Sequence, residues 1–276
     1  MPELPEVETV RRDLEALVVG ATVVDVVATG ARTVRRTSAD ALRAGLTGRR
    51  LVAAGRRGKY LLVTLDSGRW LLVHLRMSGQ LLVAPSTSSP VAPHTHVRLA
   101  LDDGRELRFV DPRTFGEVAV VDPAALAAEA PDVAALGPEP LELDVAGFDA
   151  RLRPRRRQLK ALLTDQRVVA GIGNIYADEI AHAAGVRHSR PGSTLTRPEV
   201  ARIHAAVHTI LPAAIAARGS TLSDAQYVDL GGLGGGYQER HAVYGREGQP
   251  CARCGRPVVR ITWAGRGTYF CRRCQR

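Results

Sequence analysis

The sequence lacks any long apolar run and has very few lysines and cysteines. No stretch of about 18 apolar residues is available to span a bilayer, and the chain opens with proline and glutamate where a secretory signal would carry basic residues before an apolar core. We therefore expect a soluble protein of the cell interior. Lysine occurs twice against 36 arginines, and all four cysteines lie in the last 26 residues.

The excess of positive charge is confined to the second half of the chain. The first 142 residues hold 17 Lys and Arg against 18 Asp and Glu, whereas the rest of the chain holds 21 against 10. A basic half is typical of a protein that binds the phosphates of a nucleic acid. Because arginine replaces lysine almost everywhere, a compositional bias is the alternative explanation of the charge taken alone.

The cysteines form two pairs with the spacing of a zinc site. Cys251 and Cys254 are separated by two residues, as are Cys271 and Cys274. Four thiolates at such spacing bind zinc tetrahedrally. Two disulfides are the alternative, but they are typical of secreted chains. A closed shell of four thiolates has no position for water, so the zinc is expected to be structural.

The apolar pattern of the first half indicates a short helix followed by strands. Residues 5–18 follow helical spacing, which predicts a helix that holds residues 1–4 in place. Short segments separated by turn residues predict eight strands, at residues 22–27, 51–54, 60–65, 70–75, 80–84, 96–101, 106–110 and 117–121. Strands without interleaved helices favour an antiparallel sandwich or barrel.

Helical spacing dominates the second half. Helices are predicted near residues 147–164, 174–184 and 197–218. Thr196 and Glu199 have the spacing of a capping box for the last of these, and Pro212 is expected to kink or split it. Residues 231–236 are too rich in glycine for regular structure and predict a mobile loop.

The first residues of the chain carry a candidate nucleophile. Proline followed by acids at a helix start fits the helix dipole and needs no catalytic role. Removal of Met1, however, would expose the secondary amine of Pro2. A free α-amine has a pKa near about 8, so part of it is unprotonated at neutral pH. Pro2 could then attack a sugar carbon and form an iminium, with Glu3 moving the proton.

Six motifs, spread from the first residue to the last, resemble the formamidopyrimidine-DNA glycosylase family. They are Met1–Glu8, Arg56–Tyr60, His74–Gly79, Asp111–Gly116, Gly171–Glu179 and the terminal four-cysteine segment. The resemblance implies an α+β multidomain protein with an N-terminal antiparallel β-sandwich that carries an N-terminal helix. It also implies a helical helix-two-turns-helix domain and a β-hairpin zinc finger.

The implied domains are a catalytic sandwich at residues 1–131, a DNA-binding helical domain with a lesion-capping loop at 132–238, and a zinc finger at 239–276. The resemblance implies a base-excision repair enzyme that removes 8-oxoguanine and formamidopyrimidines from duplex DNA and cleaves the strand by β,δ-elimination. It is expected to be a monomer of the bacterial cytosol or nucleoid that binds damaged double-stranded DNA. One structural Zn²⁺ and no catalytic cofactor are expected.

The resemblance assigns roles to residues by their positions in the motifs. Pro2 resembles the Schiff-base nucleophile, and Glu3 the general acid. Lys59 resembles the lysine that assists β-elimination, and Arg266 the arginine that supports δ-elimination. The resemblance implies two sets of DNA contacts, namely Met77, Arg113 and Phe115 in the space left by a flipped base, and His74, His94, Arg155, Lys160 and Asn174 at phosphates.

Two positions depart from the family pattern, and three other functions stay open. Thr114 stands where a second arginine is common, and the loop expected to cover the flipped base, residues 220–237, has an unusually glycine-rich centre. The alternatives are an endonuclease VIII type of glycosylase for oxidised pyrimidines, a non-catalytic lesion-binding protein, and a zinc-ribbon protein of transcription or translation. The segments Leu4–Glu8 and Met77–Gly79 favour the purine enzyme.

Overall fold

The computed structural model describes residues 1–30, 32–222 and 226–276. Over these ranges the chain forms two compact units, Met1–Ala135 with Ala217–Gly236, and Leu136–Ala216 with Tyr237–Arg276. The glycine-rich segment, residues 231–236, belongs to the unit that contains the N-terminal residues, whereas the predicted division assigned it to the helical domain. The division into three domains stays a prediction. None of the helices in these ranges is both long and apolar enough to cross a membrane.

The first unit is an antiparallel β-sandwich with helices at its margin. Its elements are α1 (Leu4–Leu17), β1 (Val23–Ala28), α2 (Ala39–Leu46), β2 (Leu51–Arg57), β3 (Tyr60–Leu65), β4 (Trp70–His74), β5 (Gln80–Ala84), β6 (Thr95–Leu101), β7 (Glu106–Val110), β8 (Glu117–Val121), α3 (Leu126–Glu129) and α4 (Pro131–Ala134). The strands form two four-stranded sheets with the orders β1-β6-β7-β5 and β2-β3-β4-β8. All eight predicted strands are confirmed, with small shifts at their ends.

Both sheets contribute to one apolar core. Leu99 and Phe109 from the first sheet and Leu61 and Val73 from the second are at most 3% exposed and belong to the same buried cluster. Two antiparallel sheets that share a core are a β-sandwich, which confirms the predicted fold of this part.

Helix α2 was missed because its sequence signal is short. Ser38 is its N-cap, and the Ser38 hydroxyl accepts a hydrogen bond from the Ala41 N–H at 3.1 Å. Leu42 and Leu46, one helical turn apart, are fully buried. Two large apolar side chains among eight residues are too few to distinguish a helix from a loop by periodicity.

The second unit contains four helices and a hairpin. They are α5 (Val145–Leu152), α6 (Leu159–Thr164), α7 (Asn174–Ala184), α8 (Arg197–Ala216), β9 (Val259–Trp263) and β10 (Arg266–Phe270). The helix predicted at 147–164 is two helices, because Pro154 lacks the N–H that a continuous helix needs.

Helix α8 passes through Pro212 without being split. Its apolar face explains this, since Val207, Leu211 and Ile215 are at most 9% exposed and hold the helix against its neighbours on both sides of the proline. The predicted capping box at Thr196 and Glu199 is present: the Thr196 N–H donates to the Glu199 carboxylate at 2.8 Å, and the Glu199 N–H donates to the Thr196 hydroxyl at 3.4 Å.

Candidate functional site

Pro2 and Glu3 lie at the start of α1, and both are buried. Glu3 is the N-cap residue, and its backbone N–H donates to Oε2 of Glu6 at 2.7 Å. The reciprocal bond from the backbone of Glu6 to the Glu3 side chain completes a capping box. The start of the chain is therefore fixed to a helix, as the apolar spacing of α1 predicted.

Glu6 is a residue of this site that the sequence reasoning missed. Its carboxylate is 1% exposed, and its Oε1 accepts the Ser220 N–H at 2.8 Å. Its backbone carbonyl accepts the Tyr227 hydroxyl at 3.4 Å. One buried carboxylate thus joins Glu3 to the base of the segment predicted to cover the flipped base. The available signal was that Glu6 is the second of three acids within the opening motif.

The described part of that covering segment is anchored at its base. Residues 223–225 of the predicted loop lie outside the described residues. Asp229 is 2% exposed and accepts the N–H groups of Gly231 and Leu233 at 3.0 and 2.9 Å. Arg218 bridges the carboxylates of Asp13 and Asp229 at 2.5 and 2.7 Å. These bonds tie the loop to α1, while Leu233 within it is 69% exposed.

Lys59 occupies the two-residue turn between β2 and β3 and is 5% exposed. Gly58 beside it has a φ of 55°, which glycine adopts without strain. The neighbouring Arg56 donates to the Gly58 carbonyl at 2.8 Å and pairs with Glu8 of α1 at 3.1 Å. The turn is therefore held against α1, and Lys59 is not a solvated surface lysine.

Asp111 connects the loops that carry the predicted void-filling residues, and the sequence reasoning gave it no role. It is fully buried, and its Oδ1 accepts the Ser78 hydroxyl at 2.5 Å and the Arg113 N–H at 3.2 Å. Its Oδ2 accepts the Gly116 N–H at 2.6 Å, and its own N–H donates to the His94 carbonyl at 2.9 Å. Three loops of the first unit meet at this carboxylate.

The predicted void-filling side chains on these loops are exposed. Met77 and Phe115 are 40% and 45% exposed, and the Arg113 guanidinium lies 5.0 Å from the centre of the Phe115 ring. The loops also contain non-glycine residues with positive φ, namely Arg76, His94 and Thr114. Strained backbone of this kind persists only where its surroundings hold it, and it concentrates at functional sites.

His74 and His94 differ in exposure. His94 is exposed, whereas His74 is 5% exposed and packs edge-on against Tyr60 at 4.3 Å between ring centres. Nδ1 of His74 accepts the Arg76 N–H at 2.9 Å. Burial, followed by the nearby positive charge of Arg76, holds the pKa of His74 well below its usual range. The phosphate contact of His74 stays a prediction, and in the structure the Nδ1 atom of its ring supports the Arg76 turn.

The second unit has a basic pocket of about 290 Å³, lined among others by Arg157, Lys160, Asn174, Trp263 and Arg266. Arg266 is exposed at the start of β10, and the Asn174 amide donates to the Gly267 carbonyl at 3.0 Å. The pocket therefore brings together Lys160 and Asn174, which are predicted to contact phosphates, and Arg266, which is predicted to support δ-elimination. Arg155 is not among its lining residues, and its guanidinium donates to the Arg151 carbonyl at 2.6 Å.

Lys160 is held inside this unit and is not a surface lysine. It is 2% exposed, and its Nζ lies 2.8 Å from Oδ1 of Asp178. The same Nζ donates to the Gly267 carbonyl at 3.1 Å and to the Thr268 hydroxyl at 2.9 Å. Burial raises the pKa of Asp178 to about 7, against the lowering effect of Lys160. Lys160 thus braces the strand next to Arg266, which the prediction of a simple phosphate contact did not foresee.

The four cysteines form the metal site that their spacing predicts. Their sulfur atoms all lie within 4.8 Å of one another, with 3.9 Å between Cys251 and Cys274 and 3.4 Å between Cys254 and Cys271. Tetrahedral zinc with Zn–S bonds of about 2.3 Å places its sulfurs about 3.8 Å apart, so the four thiolates fit a zinc ion.

Comparison with known proteins covers the whole chain. The family described as "Formamidopyrimidine-DNA glycosylase N-terminal domain" matches residues 1–118, the corresponding H2TH domain matches residues 136–226, and "Zinc finger found in FPG and IleRS" matches residues 248–276. The last match and the sulfur geometry establish a structural zinc.

Individual relatives are similar over their full lengths. A formamidopyrimidine-DNA glycosylase of Nocardia farcinica is 47% identical and is covered over 98% of its length by 100% of this chain. The crystal structure of the MutM (Fpg) protein of Thermus thermophilus is 46% identical with a TM-score of 0.89, covering 99% of this chain and 98% of that one. A mutant Lactococcus lactis Fpg in complex with DNA containing Fapy-dG is 34% identical with a TM-score of 0.91, over 100% of both chains.

The three matched domains follow one another along the chain in the same order as the motifs. The sequence identity to the Nocardia relative extends over the full length of this chain. The chain belongs to the formamidopyrimidine-DNA glycosylase family.

Proposed function

We propose that this protein is a base-excision repair glycosylase and abasic-site lyase that removes oxidised purines, such as 8-oxoguanine and formamidopyrimidines, from duplex DNA. The observation that carries the proposal is the fixed terminus of a member of this family, where Pro2 and Glu3 are buried and Glu3 is bonded to Glu6. The Fapy-dG DNA bound by the Lactococcus relative supports a purine substrate.

Removal of Met1 leaves the secondary amine of Pro2 as the nucleophile. The amine bonds to the sugar C1′ as the bond between C1′ and the damaged base breaks, and Glu3 moves the proton at the sugar ring oxygen. The base leaves with a proton, and the bonded nitrogen loses its own proton. Glu3 donates a proton to the sugar ring oxygen as the bond between C1′ and that oxygen breaks, which leaves a positively charged iminium at C1′. The iminium withdraws electrons, so the adjacent C2′ proton can leave and the 3′ phosphate is expelled. Loss of the C4′ proton then expels the 5′ phosphate.

Lys59 and Arg266 are the cationic groups assigned to these eliminations. In the first unit, Lys59 assists expulsion of the 3′ phosphate from its turn beside α1. In the second unit, Arg266 holds a phosphate at the basic pocket and supports the second elimination. Asn174 contributes to the same pocket, while Lys160 acts there from within by holding Gly267 and Thr268. His94 and Arg155 are assigned to further phosphates.

Met77, Arg113 and Phe115 are assigned to the opened base stack. Extrusion of a nucleotide costs a few kcal/mol, which inserted side chains offset. Phe115 acts as the wedge and Met77 fills the vacated space, because both are apolar and exposed. Arg113 hydrogen-bonds the unpaired partner base. We also propose that the enzyme acts as a monomer in the bacterial cytosol or nucleoid.

Borohydride trapping tests the nucleophile and the substrate class together. Protein with verified removal of Met1 is incubated with a duplex that has one 8-oxoguanine opposite cytosine, and in parallel with a thymine glycol duplex. Pro2→Gly replaces the secondary amine with a primary one, and Asp103→Asn on an exposed hairpin is the matched control. We expect a covalent adduct on the purine duplex that Pro2→Gly weakens and Asp103→Asn does not.

The other outcomes identify the competing functions. A stronger adduct on thymine glycol would indicate the endonuclease VIII type of specificity. Lesion binding without an adduct on either duplex would exclude the lyase mechanism and indicate a non-catalytic lesion-binding protein.

A further inference from the structure

One face of α7 contacts the zinc-binding segment at three successive helical turns. Asn174, Asp178 and His182 are spaced four residues apart, so their side chains lie on the same face. Asn174 donates to the Gly267 carbonyl at 3.0 Å, and Asp178 accepts the Tyr269 N–H at 2.9 Å. The third position, His182, reaches the metal site itself.

His182 lies against one of the zinc thiolates. Its ring is 3% exposed, and its Nε2 is 3.4 Å from Sγ of Cys251, which is 1% exposed. This separation fits an N–H···S hydrogen bond, which is longer than a bond to oxygen because sulfur is larger. A zinc-bound thiolate carries no proton and can only accept a hydrogen bond. Nε2 must therefore be the protonated nitrogen of the ring.

The zinc-binding segment holds the backbone of His182 in turn. Arg253, between Cys251 and Cys254, donates to the His182 carbonyl at 2.9 Å and to the Ala183 carbonyl at 2.8 Å. These are carbonyls of the last turn of α7, where the helix dipole favours a cation, and the His182 carbonyl also accepts the Gly185 N–H at 3.0 Å. The ring and the sulfur are thus kept together from both sides.

We propose that His182 donates a hydrogen bond to the zinc-bound sulfur of Cys251 and thereby slows loss of the metal. Four thiolates around one Zn²⁺ leave a net negative charge in a site whose Cys251 sulfur is shielded from water. An N–H directed at the sulfur stabilises that charge, so the thiolate is harder to protonate and to release. Groups that hydrogen-bond metal ligands commonly change metal affinity by about 10- to 100-fold.

The first test is made on the unmodified zinc-loaded protein. The ¹⁵N shifts of the His182 ring report which nitrogen carries the proton. We expect a proton on Nε2 and none on Nδ1. A ring protonated only on Nδ1 would overturn the proposal, because Nε2 would then have nothing to donate.

The second test measures how fast zinc passes to an excess of the chelator pyridylazoresorcinol at neutral pH. His182→Phe removes the donor, and His182→Gln keeps an amide N–H near the position of Nε2. His188→Phe is the matched control, since His188 is also buried in this unit but packs on Phe270 and has no bond to a cysteine among the contacts of the described residues.

We expect His182→Phe to release zinc about 10-fold faster or more, whereas His182→Gln and His188→Phe stay close to the original protein. Equal acceleration by His182→Phe and His188→Phe would show that only packing was lost, and no acceleration by His182→Phe would show that the bond is irrelevant. Either result overturns the proposal. Because the readout is zinc release, it is independent of whether the proposed DNA chemistry is correct.

Discussion

Replacement of Asp111 by asparagine should disable the void-filling loops with little change in the size of the side chain. The carboxylate is fully buried and accepts bonds from Ser78, Arg113 and Gly116. An amide offers one acceptor and one donor group. If its oxygen faces Gly116, its NH₂ faces Ser78, whose hydroxyl can turn to accept, but the Arg113 N–H then loses its acceptor.

The expected cost follows from that count of bonds. Hydrogen bonds to a charged group contribute about 1.5–3 kcal/mol and neutral ones about 0.5–1.5 kcal/mol. Two bonds weakened by about 1 kcal/mol each and one lost bond therefore amount to roughly 3.5–5 kcal/mol. If the loops must be ordered in the transition state for base extrusion, a loss of about 2 kcal/mol there corresponds to roughly a 30-fold slower reaction.

The assay combines flipping, excision and stability. Fluorescence of a 2-aminopurine beside the lesion reports insertion of Phe115 and Met77, single-turnover cleavage of an 8-oxoguanine duplex reports excision, and urea unfolding reports stability. Ser78→Ala should lose only about 1.5–3 kcal/mol, since one hydrogen bond to the carboxylate is removed and no buried N–H is left unpaired. Asp103→Asn, on an exposed hairpin, should stay within about 0.5 kcal/mol.

The reasoning fails if Asp111→Asn loses stability as expected but flips and excises at the original rate. The carboxylate would then stabilise the fold without positioning the wedge. It also fails if Asp103→Asn slows excision as much as Asp111→Asn does, because the effect would then not depend on the loops.

Three further predictions concern the basic pocket, the buried His188 and the buried Glu6. Arg266→Ala should reduce the slope of a plot of log K for DNA binding against log salt concentration by about 1. Lys160→Met should leave this slope unchanged, because Lys160 is paired with Asp178. Equal changes of slope in the two variants would indicate that Lys160 contacts phosphate directly. Burial, followed by nearby Lys160, lowers the pKa of His188 to about 4, below its value in the unfolded chain. The stability that neutral His188 contributes is therefore present above about pH 6.5, and roughly 3 kcal/mol of it is lost as the pH falls to 4. His188→Phe should flatten this part of the pH profile of urea unfolding, and an unchanged profile would contradict the assignment. Glu6→Gln should slow excision by about 10-fold or more, since the N–H of either Glu3 or Ser220 loses its acceptor at a cost of about 1–3 kcal/mol. Single-turnover cleavage measures the rate, and an unchanged rate would show that Glu6 does not position Glu3.

Much of the architecture was predictable because it depends on local pattern. Short apolar segments separated by turn residues located eight strands, and two of these, β7 and β8, are buried along their whole length. The two cysteine pairs predicted the zinc site, because the ligand geometry needs only a close spacing within each pair. Local pattern did not locate α2, and it joined α5 and α6 across Pro154.

The candidate site was only partly predictable, because burial depends on distant partners. The motifs singled out Lys160 and His74, yet both are buried, one by Asp178 and the zinc hairpin and the other by Tyr60. Nothing in the spacing of a lone lysine or histidine indicates whether a carboxylate or an aromatic ring elsewhere in the chain will cover it.

The sequence by itself determined which chemical groups the protein has: a secondary amine beside a carboxylic acid, four thiolates and a basic second half. Only the tertiary structure decided which buried carboxylates hold the segments that carry these groups in place. Glu6 meets Ser220 across 214 positions of sequence, and Asp111 meets Ser78 across 33. The reason is physical: a buried carboxylate is stable only where several donors converge on it, and that convergence arises when the chain folds.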